Sequence, residues 1–403
     1  MPLPTQTGLA RLASEGQWRR QLAGRIGYLC HSASVNEQLE HGAAILKRLF
    51  GERLRALFAP QHGLATDAQD NMIESPHFFH RHFQLPVHSL YAETRSPTPE
   101  MLAGIDHLLI DLQDNGVRVY TYIWTMVLAI EACGKAGIPV TILDRPNPLS
   151  GQRIEGNMSE LEYRSIIGWL PLPMRHGMTA GEIARFAINY WNIDCELQVL
   201  PMLGWQRSMS FEATGLPWVL PSPNFPSLDT AGVYPGTVLF EGTNLSEGRG
   251  TVRPFELIGH PQLDPYRFVE LCHSSMEKAG LRGCRLRPAT FVPTFDKYEE
   301  QACNGFQVHI TDRKTFRPWL TGQLLLRELY RELGRHFTWR EPPFEYVYDL
   351  LPIDLLNGSE QPRLWVEGQG GMEELLGLEA KGREAFLEKR KEVLLYREVA
   401  RKK

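Results

Sequence analysis

Short apolar runs alternate with amphipathic stretches through the first 150 residues of the chain. The runs predict strands over residues 25–30, 54–59, 86–91, 107–112 and 139–143, and the amphipathic stretches predict helices over 36–50, from 98 onward and over 121–134. Strand–helix–strand units at this spacing favour right-handed crossovers and a parallel sheet. The pattern therefore predicts an α/β fold with a Rossmann-like layer.

The pattern changes further along the chain. Thr179 and Glu182 form a capping box that predicts a helix over 180–191, and residues 215–256 are rich in Gly and Pro. From about residue 250, strand-like pieces such as 306–310 mix with helical patterns over 322–333 and 382–395. We expect a Rossmann-like N-terminal domain over 1–248, a smaller α+β C-terminal domain over 249–403, and a cleft between them.

Polar, turn-rich loops follow three of the predicted parallel strands. They are residues 60–63 (PQHG), 111–118 (DLQDNGVR) and 144–147 (DRPN). Ligands of open parallel sheets bind beside the carboxyl ends of the strands. The three loops are therefore expected to converge on one edge of the sheet.

Composition excludes several classes of partner. The chain has 403 residues and a net charge of −4, so there is no basic excess for nucleic acid. No apolar run is long enough for a membrane span, and the first twenty residues resemble no signal peptide. Six cysteines lie scattered without a C-x-x-C pair. We expect a cytoplasmic protein with reduced thiols.

Common cofactor and nucleophile motifs are missing from the sequence. It contains no G-x-G-x-x-G after the first strand, no P-loop and no G-x-S-x-G elbow. His77, His80 and His82 lack the spacing and the nearby cysteines of a zinc site. These observations disfavour dinucleotide binding, P-loop nucleotide binding, a serine hydrolase and a zinc site at these histidines.

Carboxylates are concentrated in two places. Asp111 and Asp114 end the most apolar strand, and Glu241 and Glu247 flank a glycine-rich loop. Such carboxylates can act as general acids or hold sugar hydroxyls. The alternatives are turn capping, an ion pair with Arg118, and solvated loop charges.

Several longer segments together resemble one known family. They are APQHG (59–63), LPVHSLY (85–91), PTPEML (97–102), DLQDNGVRVYTY (111–122), LDRPNPLSG (143–151), PLPMRHGMTAGE (171–182), LPSPNFPSLDT (220–230) and YPGTVLFEGTNLSEGRGTVRPFE (234–256). Their order is similar to that of the NamZ-type exo-β-N-acetylmuramidases. The resemblance covers roughly residues 20 to 400.

This resemblance implies a glycosidase of peptidoglycan turnover that releases terminal N-acetylmuramic acid without a cofactor. It implies an active cleft between a Rossmann-like domain and a smaller C-terminal domain. Family members carry Glu where this chain has Gln61. An amide has no proton to donate at neutral pH, so the acid must come from another residue.

The candidate catalytic residues are Glu241 and Glu247 as acids, Asp114 to orient the substrate's acetamido nitrogen, and His62. The acetamido group itself or a second carboxylate would complete the reaction. The predicted substrate-binding residues are Gln61, Asp111, Arg118, Tyr120, Tyr122, Asp144, Arg145, Asn147, Glu155, His176, Asn224, Asn244 and Arg249.

Two other functions stay open at this point. A catalytically silent protein that binds an amino sugar or a muropeptide would keep the cleft and lack turnover. An enzyme acting on an anionic small molecule, such as a nucleotide sugar, would use the same sheet edge. The sequence leaves the oligomeric state open.

Overall fold

Twelve strands and thirteen helices organise the part of the chain that the computed structural model describes, residues 5–69 and 72–396. The strands, in chain order, are β1 (Ile26–Cys30), β2 (Leu54–Ala59), β3 (Phe78–His80), β4 (Leu85–Ser89), β5 (His107–Asp111), β6 (Val140–Leu143), β7 (Glu155–Met158), β8 (Pro173–Arg175), β9 (Leu197–Leu200), β10 (Leu257–His260), β11 (Cys284–Phe291) and β12 (Cys303–Ile310).

The helices are α1 (Gly8–Ser14), α2 (Gly16–Gln21), α3 (Gly42–Phe50), α4 (Pro99–Leu102), α5 (Tyr122–Lys135), α6 (Ala180–Trp191), α7 (Leu228–Thr237), α8 (Pro265–Lys278), α9 (Pro318–Leu333), α10 (Pro352–Asn357), α11 (Gln361–Glu367), α12 (Met372–Ala380) and α13 (Arg383–Val393). Within residues 5–69 and 72–396, no helix is long and apolar enough to cross a membrane.

The central sheet has seven strands in the order β3-β4-β2-β1-β5-β6-β9. All neighbours run parallel except β3, which pairs antiparallel with β4. Strand β1 is buried at all five positions and pairs with β2 on one side and β5 on the other. The predicted α/β fold with a parallel sheet is confirmed, and the chain direction places the loops after β2, β5 and β6 at one edge.

The predicted capping box at the start of α6 is confirmed. The Thr179 hydroxyl accepts a hydrogen bond from the Glu182 amide at 3.3 Å, and the Glu182 carboxylate accepts one from the Thr179 amide at 3.0 Å. These reciprocal bonds satisfy two backbone donors that a helix end would otherwise leave open. Helix α6 therefore begins where the sequence places it.

The helix predicted over residues 36–50 begins six residues later than expected. The Asn36 side chain accepts hydrogen bonds from the amides of Gln38 and Glu40, which stabilises a turn in place of a helix. The ring of His41 then accepts from the Ala43 amide at 3.1 Å and caps α3. Local side-chain bonds thus delay the helix start.

The C-terminal part contains the antiparallel sheet β10-β12-β11, with α8 and α9 packed nearby. Helices α7 and α9 cross at two glycines, where a β-carbon on Gly236 would clash with the Pro318 carbonyl and one on Gly322 with the Gly236 backbone. Only glycine permits this backbone approach. The crossing fixes the segment that leads from α7 to Glu241.

Candidate active site

A polar pocket lies at the carboxyl edge of the large sheet. The loops after β2 and β5 form one wall, and segments that follow α7 and α9 form the opposite wall. Its lining residues are Gln61, His62, Val119, Tyr120, Thr121, Ile167, Ser222, Asn224, Phe225, Tyr234, Glu241, Arg249, Phe255, Phe344, Glu345 and Leu356. Residues from both halves of the chain therefore share one cavity.

Gln61 is held by hydrogen bonds at both ends of its amide. Its oxygen accepts from the Thr121 hydroxyl at 2.7 Å. Its nitrogen lies 3.1 Å from the Tyr91 hydroxyl and donates to Glu345 at 3.3 Å. Tyr122 lies outside the lining, and its hydroxyl donates to the Gln61 carbonyl at 3.2 Å. The amide therefore has a fixed orientation beside a carboxyl group.

Glu345 is a pocket carboxyl that the sequence reasoning missed. Burial raises its pKa, and the nearby charge of Glu241 adds to the shift, against the hydrogen bonds from Tyr91 and Gln61. The Tyr91 hydroxyl donates to Glu345 at 2.6 Å. The backbone of Glu345 has φ +44°, a left-handed conformation that costs energy in a non-glycine residue. These features suit a general acid.

Glu241 differs from Glu345 because it forms an ion pair with an arginine. Arg249 lies 2.5 Å from one of its carboxylate oxygens, and both side chains are buried. Arg249 also pairs with Glu247 at 3.2 Å, and Glu247 pairs with Lys297 at 2.8 Å. Burial pushes the pKa of Glu247 up, but the charges of Lys297 and Arg249 hold it below its usual value. Glu247 therefore lies behind the pocket as an ion-pair partner.

His62 lines the pocket as a neutral imidazole. Burial lowers its pKa to about 4. Its Nδ1 is 2.5 Å from the Ala68 carbonyl oxygen, so this nitrogen is the donor. The φ of His62 is +69°, which turns the backbone sharply after β2. Its Nε2 atom can thus accept a proton or a hydrogen bond.

Aromatic rings form the rest of the cavity wall. The ring of Tyr120 contacts Phe225 at a centroid distance of 5.4 Å, and Tyr234 contacts Phe225 at 4.7 Å and Phe255 at 4.8 Å. Asn224 is fixed by its side-chain nitrogen, which donates to the Gln69 carbonyl at 2.8 Å. Aromatic faces with a few fixed polar groups are typical of small-molecule sites.

Asp111 and Arg145 lie away from the pocket lining and support the sheet. Arg145 donates to Asp111 at 3.0 Å through Nη2, and the Tyr28 hydroxyl donates to the same carboxylate at 2.6 Å. Arg145 also donates to the Val35 carbonyl at 2.9 Å. The pair ties the loop after β6 to the end of β5 and to the loop after β1.

Arg118 ties the two halves of the chain together. Its guanidinium donates to four backbone carbonyls, at 2.7–3.0 Å. Two belong to Asn157 and Leu172 of the N-terminal half, and two to Leu356 and Asn357 of the C-terminal half. Since Leu356 lines the pocket, Arg118 holds one wall without reaching the cavity.

The remaining predicted residues also make structural contacts. Asp144 accepts from Thr179, the Gly181 amide and Tyr396, and Asn147 bonds the Met178 carbonyl. Both residues therefore fix the loops around α6. Their polar atoms point to protein partners outside the pocket lining.

Asp114 and His176 form a buried pair, 3.6 Å apart, that is also outside the lining. Burial raises the pKa of Asp114 to about 7 and lowers that of His176 to about 3. Glu155 accepts from the Trp319 amide at 2.9 Å at the start of α9, and Asn244 bonds the His336 carbonyl. These four residues hold secondary structure together.

The described residues contain no cluster of three or more His, Cys, Asp or Glu side chains arranged to hold a metal ion. The pocket lining itself presents carboxyl, amide and imidazole groups. Two carboxyl groups beside aromatic rings suit acid–base chemistry on a sugar, and the class of protein that this fold and pocket indicate is a glycoside hydrolase.

Comparisons with known proteins agree with this class. The model of the N-terminal part of exo-β-N-acetylmuramidase NamZ matches residues 26–229, and that of its C-terminal part matches residues 232–396. The chain belongs to the NamZ exo-β-N-acetylmuramidase family. It is 41% identical over 392 residues to the peptidoglycan β-N-acetylmuramidase NamZ of Bacillus subtilis, covering 97% of this chain and 91% of that protein.

Solved structures show the same fold. A DUF1343 family protein from Bacteroides fragilis superposes with a TM-score of 0.85 at 29% identity, covering 98% of this chain and 99% of the other. A second DUF1343 protein from that organism gives a TM-score of 0.73 at 24% identity, with 98% and 100% coverage. The predicted family and the predicted two-part α/β architecture are confirmed.

Proposed function

We propose that this protein is an exo-β-N-acetylmuramidase that releases terminal N-acetylmuramic acid from the non-reducing ends of peptidoglycan fragments. Membership of the NamZ family and the name of the Bacillus subtilis relative support the substrate class. The mixed aromatic and polar lining of the pocket suits a small polar ligand such as a sugar unit.

The observation that carries this proposal is the unequal pair of carboxyl groups in one pocket. Glu345 has a raised pKa because of burial, and Glu241 is ion-paired with Arg249. Glycoside hydrolysis commonly uses two carboxyl groups, one of which donates a proton to the leaving oxygen. We assign Glu345 as the proton donor to the leaving oxygen and Glu241 as the charged partner.

Gln61 and Tyr91 complete the acid's environment. Tyr91 is the donor of a 2.6 Å hydrogen bond to Glu345, and Gln61 donates a weaker one at 3.3 Å. These bonds orient the carboxyl group and by themselves lower its pKa, whereas burial raises the pKa and is the larger effect. Because Gln61 is an amide, the site holds a single carboxyl group at this point and not two that would compete for one proton.

The second half of the reaction uses the substrate's own 2-acetamido group. Glu241 is the ion-paired carboxylate of the pocket, and it can accept a hydrogen bond from the acetamido nitrogen as the acetamido carbonyl oxygen attacks the anomeric carbon and the leaving oxygen takes the proton of Glu345. Water then attacks the anomeric carbon of the cyclic intermediate, its proton passes to Glu345, and the acetamido group is restored. Substrate-assisted hydrolysis of this kind is an established variation on the two-carboxylate reaction. The role that the sequence suggested for Asp114 thereby passes to Glu241, since Asp114 lies outside the lining.

We place the activity in the cytoplasm, on recovered muropeptide fragments. All six cysteines are free, and five of them are buried, which is the pattern of a protein that folds under reducing conditions. Fractionation of cells that produce the untagged protein tests this location. Recovery with exported proteins would contradict it.

The test of function compares purified wild type with Glu345→Gln on a chromogenic N-acetylmuramide and on the N-acetylmuramyl–N-acetylglucosamine disaccharide. We expect wild type to release free N-acetylmuramic acid. The variant should lose about 10²–10⁴-fold in kcat, the usual contribution of a general acid. Glu341→Gln, an exposed change four residues upstream, is the matched control and should keep wild-type kcat.

A binding protein without turnover predicts a different result. It would bind the disaccharide tightly in calorimetry and release no sugar over long incubation. That outcome, or full activity in Glu345→Gln, would refute the assignment.

A further inference from the structure

A lysine lies behind the pocket with all three of its ammonium protons engaged. Lys297 Nζ donates to the Glu247 carboxylate at 2.8 Å and to the Phe240 and Leu245 carbonyls at 3.0 Å each. Its side chain is only 14% exposed. An ammonium group has three donors, so these bonds satisfy it completely. This is not the usual solvated surface lysine.

Lys297 is hydrogen-bonded to the backbone on both sides of Glu241. Phe240 immediately precedes Glu241, and Leu245 lies four residues beyond it. One ammonium group therefore cross-links both ends of the short segment 240–245. Because the segment can shift only if these bonds break, the backbone position of Glu241 depends on Lys297.

Lys297 also reaches the Glu241 side chain through a row of alternating charges. The row runs from Lys297 to Glu247 (2.8 Å), to Arg249 (3.2 Å) and to Glu241 (2.5 Å). It contains two positive and two negative groups, all largely buried. Without the lysine, two buried carboxylates would share the single guanidinium of Arg249, and each would be held less firmly.

The loop around Lys297 has a strained backbone. Asp296, Tyr298 and Glu300 all have positive φ, at 67°, 59° and 58°. Thr294 fastens the loop next to Arg249, because its amide and hydroxyl both donate to the Gly250 carbonyl. Left-handed non-glycine residues persist only where the surrounding contacts demand them. Here those contacts present Lys297 to the back of the pocket.

We propose that Lys297 is a positioning residue for the hydrolysis: it holds Glu241 in place through the 240–245 backbone and through the Glu247–Arg249 pair. The inference rests on the proposed function, since it concerns the same reaction. It adds a residue that lies outside the pocket lining and touches no substrate.

The experiment replaces Lys297 by Met, an unbranched side chain one atom shorter, which removes the charge and all three hydrogen-bond donors. We expect kcat on the chromogenic muramide to fall on the order of 10- to 100-fold, because small displacements of reacting groups have effects of this size. KM should change less than about threefold. The exposed Lys278→Met is the matched control and should keep wild-type kcat.

A double variant separates positioning from simple loss of stability. Lys297→Met with Glu247→Gln removes both charges and leaves Arg249 and Glu241 as a neutral pair, so kcat should recover part of the loss. Circular dichroism melting confirms the folded fraction of each variant. Wild-type kcat in Lys297→Met, or a double variant no better than the single one, would overturn the proposal.

A crystal structure of Lys297→Met provides a readout that needs no turnover. We expect the Arg249–Glu241 distance to exceed about 4 Å, the limit of an ion pair. An inactive wild type would refute the proposed function alone, whereas an unchanged Arg249–Glu241 contact in the variant would refute the role of Lys297.

Discussion

At the level of single residues, burial and charge give Glu345 and Glu241 different roles in one cavity. The pKa of Glu345 is raised by burial and by the Glu241 charge, so this carboxyl group keeps its proton to a higher pH than a free glutamate. The acid form is the active one. The value of kcat/KM should therefore fall as the pH rises through the raised pKa.

Gln61→Glu tests this pH dependence. The new carboxyl group would lie at hydrogen-bonding distance from Glu345, where Gln61 now donates at 3.3 Å. A like charge at that distance raises a carboxyl pKa further. The alkaline limb of the kcat/KM profile should therefore move to higher pH than in wild type. A limb that stays in place or moves to lower pH contradicts the assignment of Glu345.

Part of the pocket could be anticipated from the sequence. Six predicted residues lie in its lining: Gln61, His62, Tyr120, Asn224, Glu241 and Arg249. They follow predicted strands or belong to the glycine-rich segment, where local pattern is informative. Glu345 stands in no such motif. Gln61 and Glu345 are hydrogen-bonded although they lie 284 residues apart in the sequence. The only local signal of a buried carboxyl group is the position of Glu345 between Phe344 and Tyr346.

At the level of elements, the apolar runs predicted the buried strands well, because a parallel strand covered on both faces is apolar throughout. The edge strands β3 and β9 were missed, since they are only three and four residues long and mostly less buried. The start of α3 was predicted too early because Asn36 stabilises a competing turn.

The crossing of α7 and α9 gives a prediction that separates helix propensity from packing. Gly236→Ala should destabilise the protein by about 1–3 kcal/mol, because a methyl group there meets the Pro318 backbone. Gly377→Ala in α12 is the matched control: its methyl group meets nothing within 4 Å, so it should stabilise by up to about 1 kcal/mol. Urea unfolding measures both. Equal effects would show that packing at the crossing is loose.

At the scale of the whole molecule, buried carboxyl groups couple folding to pH. Burial raises the pKa of Asp114 to about 7 and that of Asp144 to about 6. A raised folded-state pKa stabilises the fold most below the unfolded pKa of about 4. This contribution is lost as the pH rises through 6 to 7. These two carboxyl groups therefore contribute a decrease in the free energy of unfolding from pH 5 to pH 8. The buried histidines His62 and His176, whose pKa values are lowered, contribute an increase over the lower part of the same range.

Asp114→Asn removes the contribution of Asp114, since an amide does not titrate. The change in the free energy of unfolding from pH 5 to pH 8 should therefore be more positive than in wild type by about 2–3 kcal/mol. Urea unfolding at pH 5 and pH 8 provides the measurement. The exposed Asp349→Asn is the control and should retain the wild-type difference. A variant as pH-sensitive as wild type would contradict the raised pKa of Asp114.

The overall architecture followed from the sequence, but the assembly of its parts did not. Alternating strands and helices predicted the sheet, whereas the Arg118 side chain and its four carbonyl partners join segments that no local pattern links. The division of the chain after residue 248 stays a prediction, as does the oligomeric state.

The late position of Glu345 and Leu356 has a consequence for biosynthesis. The pocket needs residues from Gln61 to Leu356 of a 403-residue chain. When the ribosome has made the last strand of the seven-stranded sheet, only six of the sixteen lining residues exist. A nascent chain therefore cannot form the complete pocket before Leu356 has been synthesised.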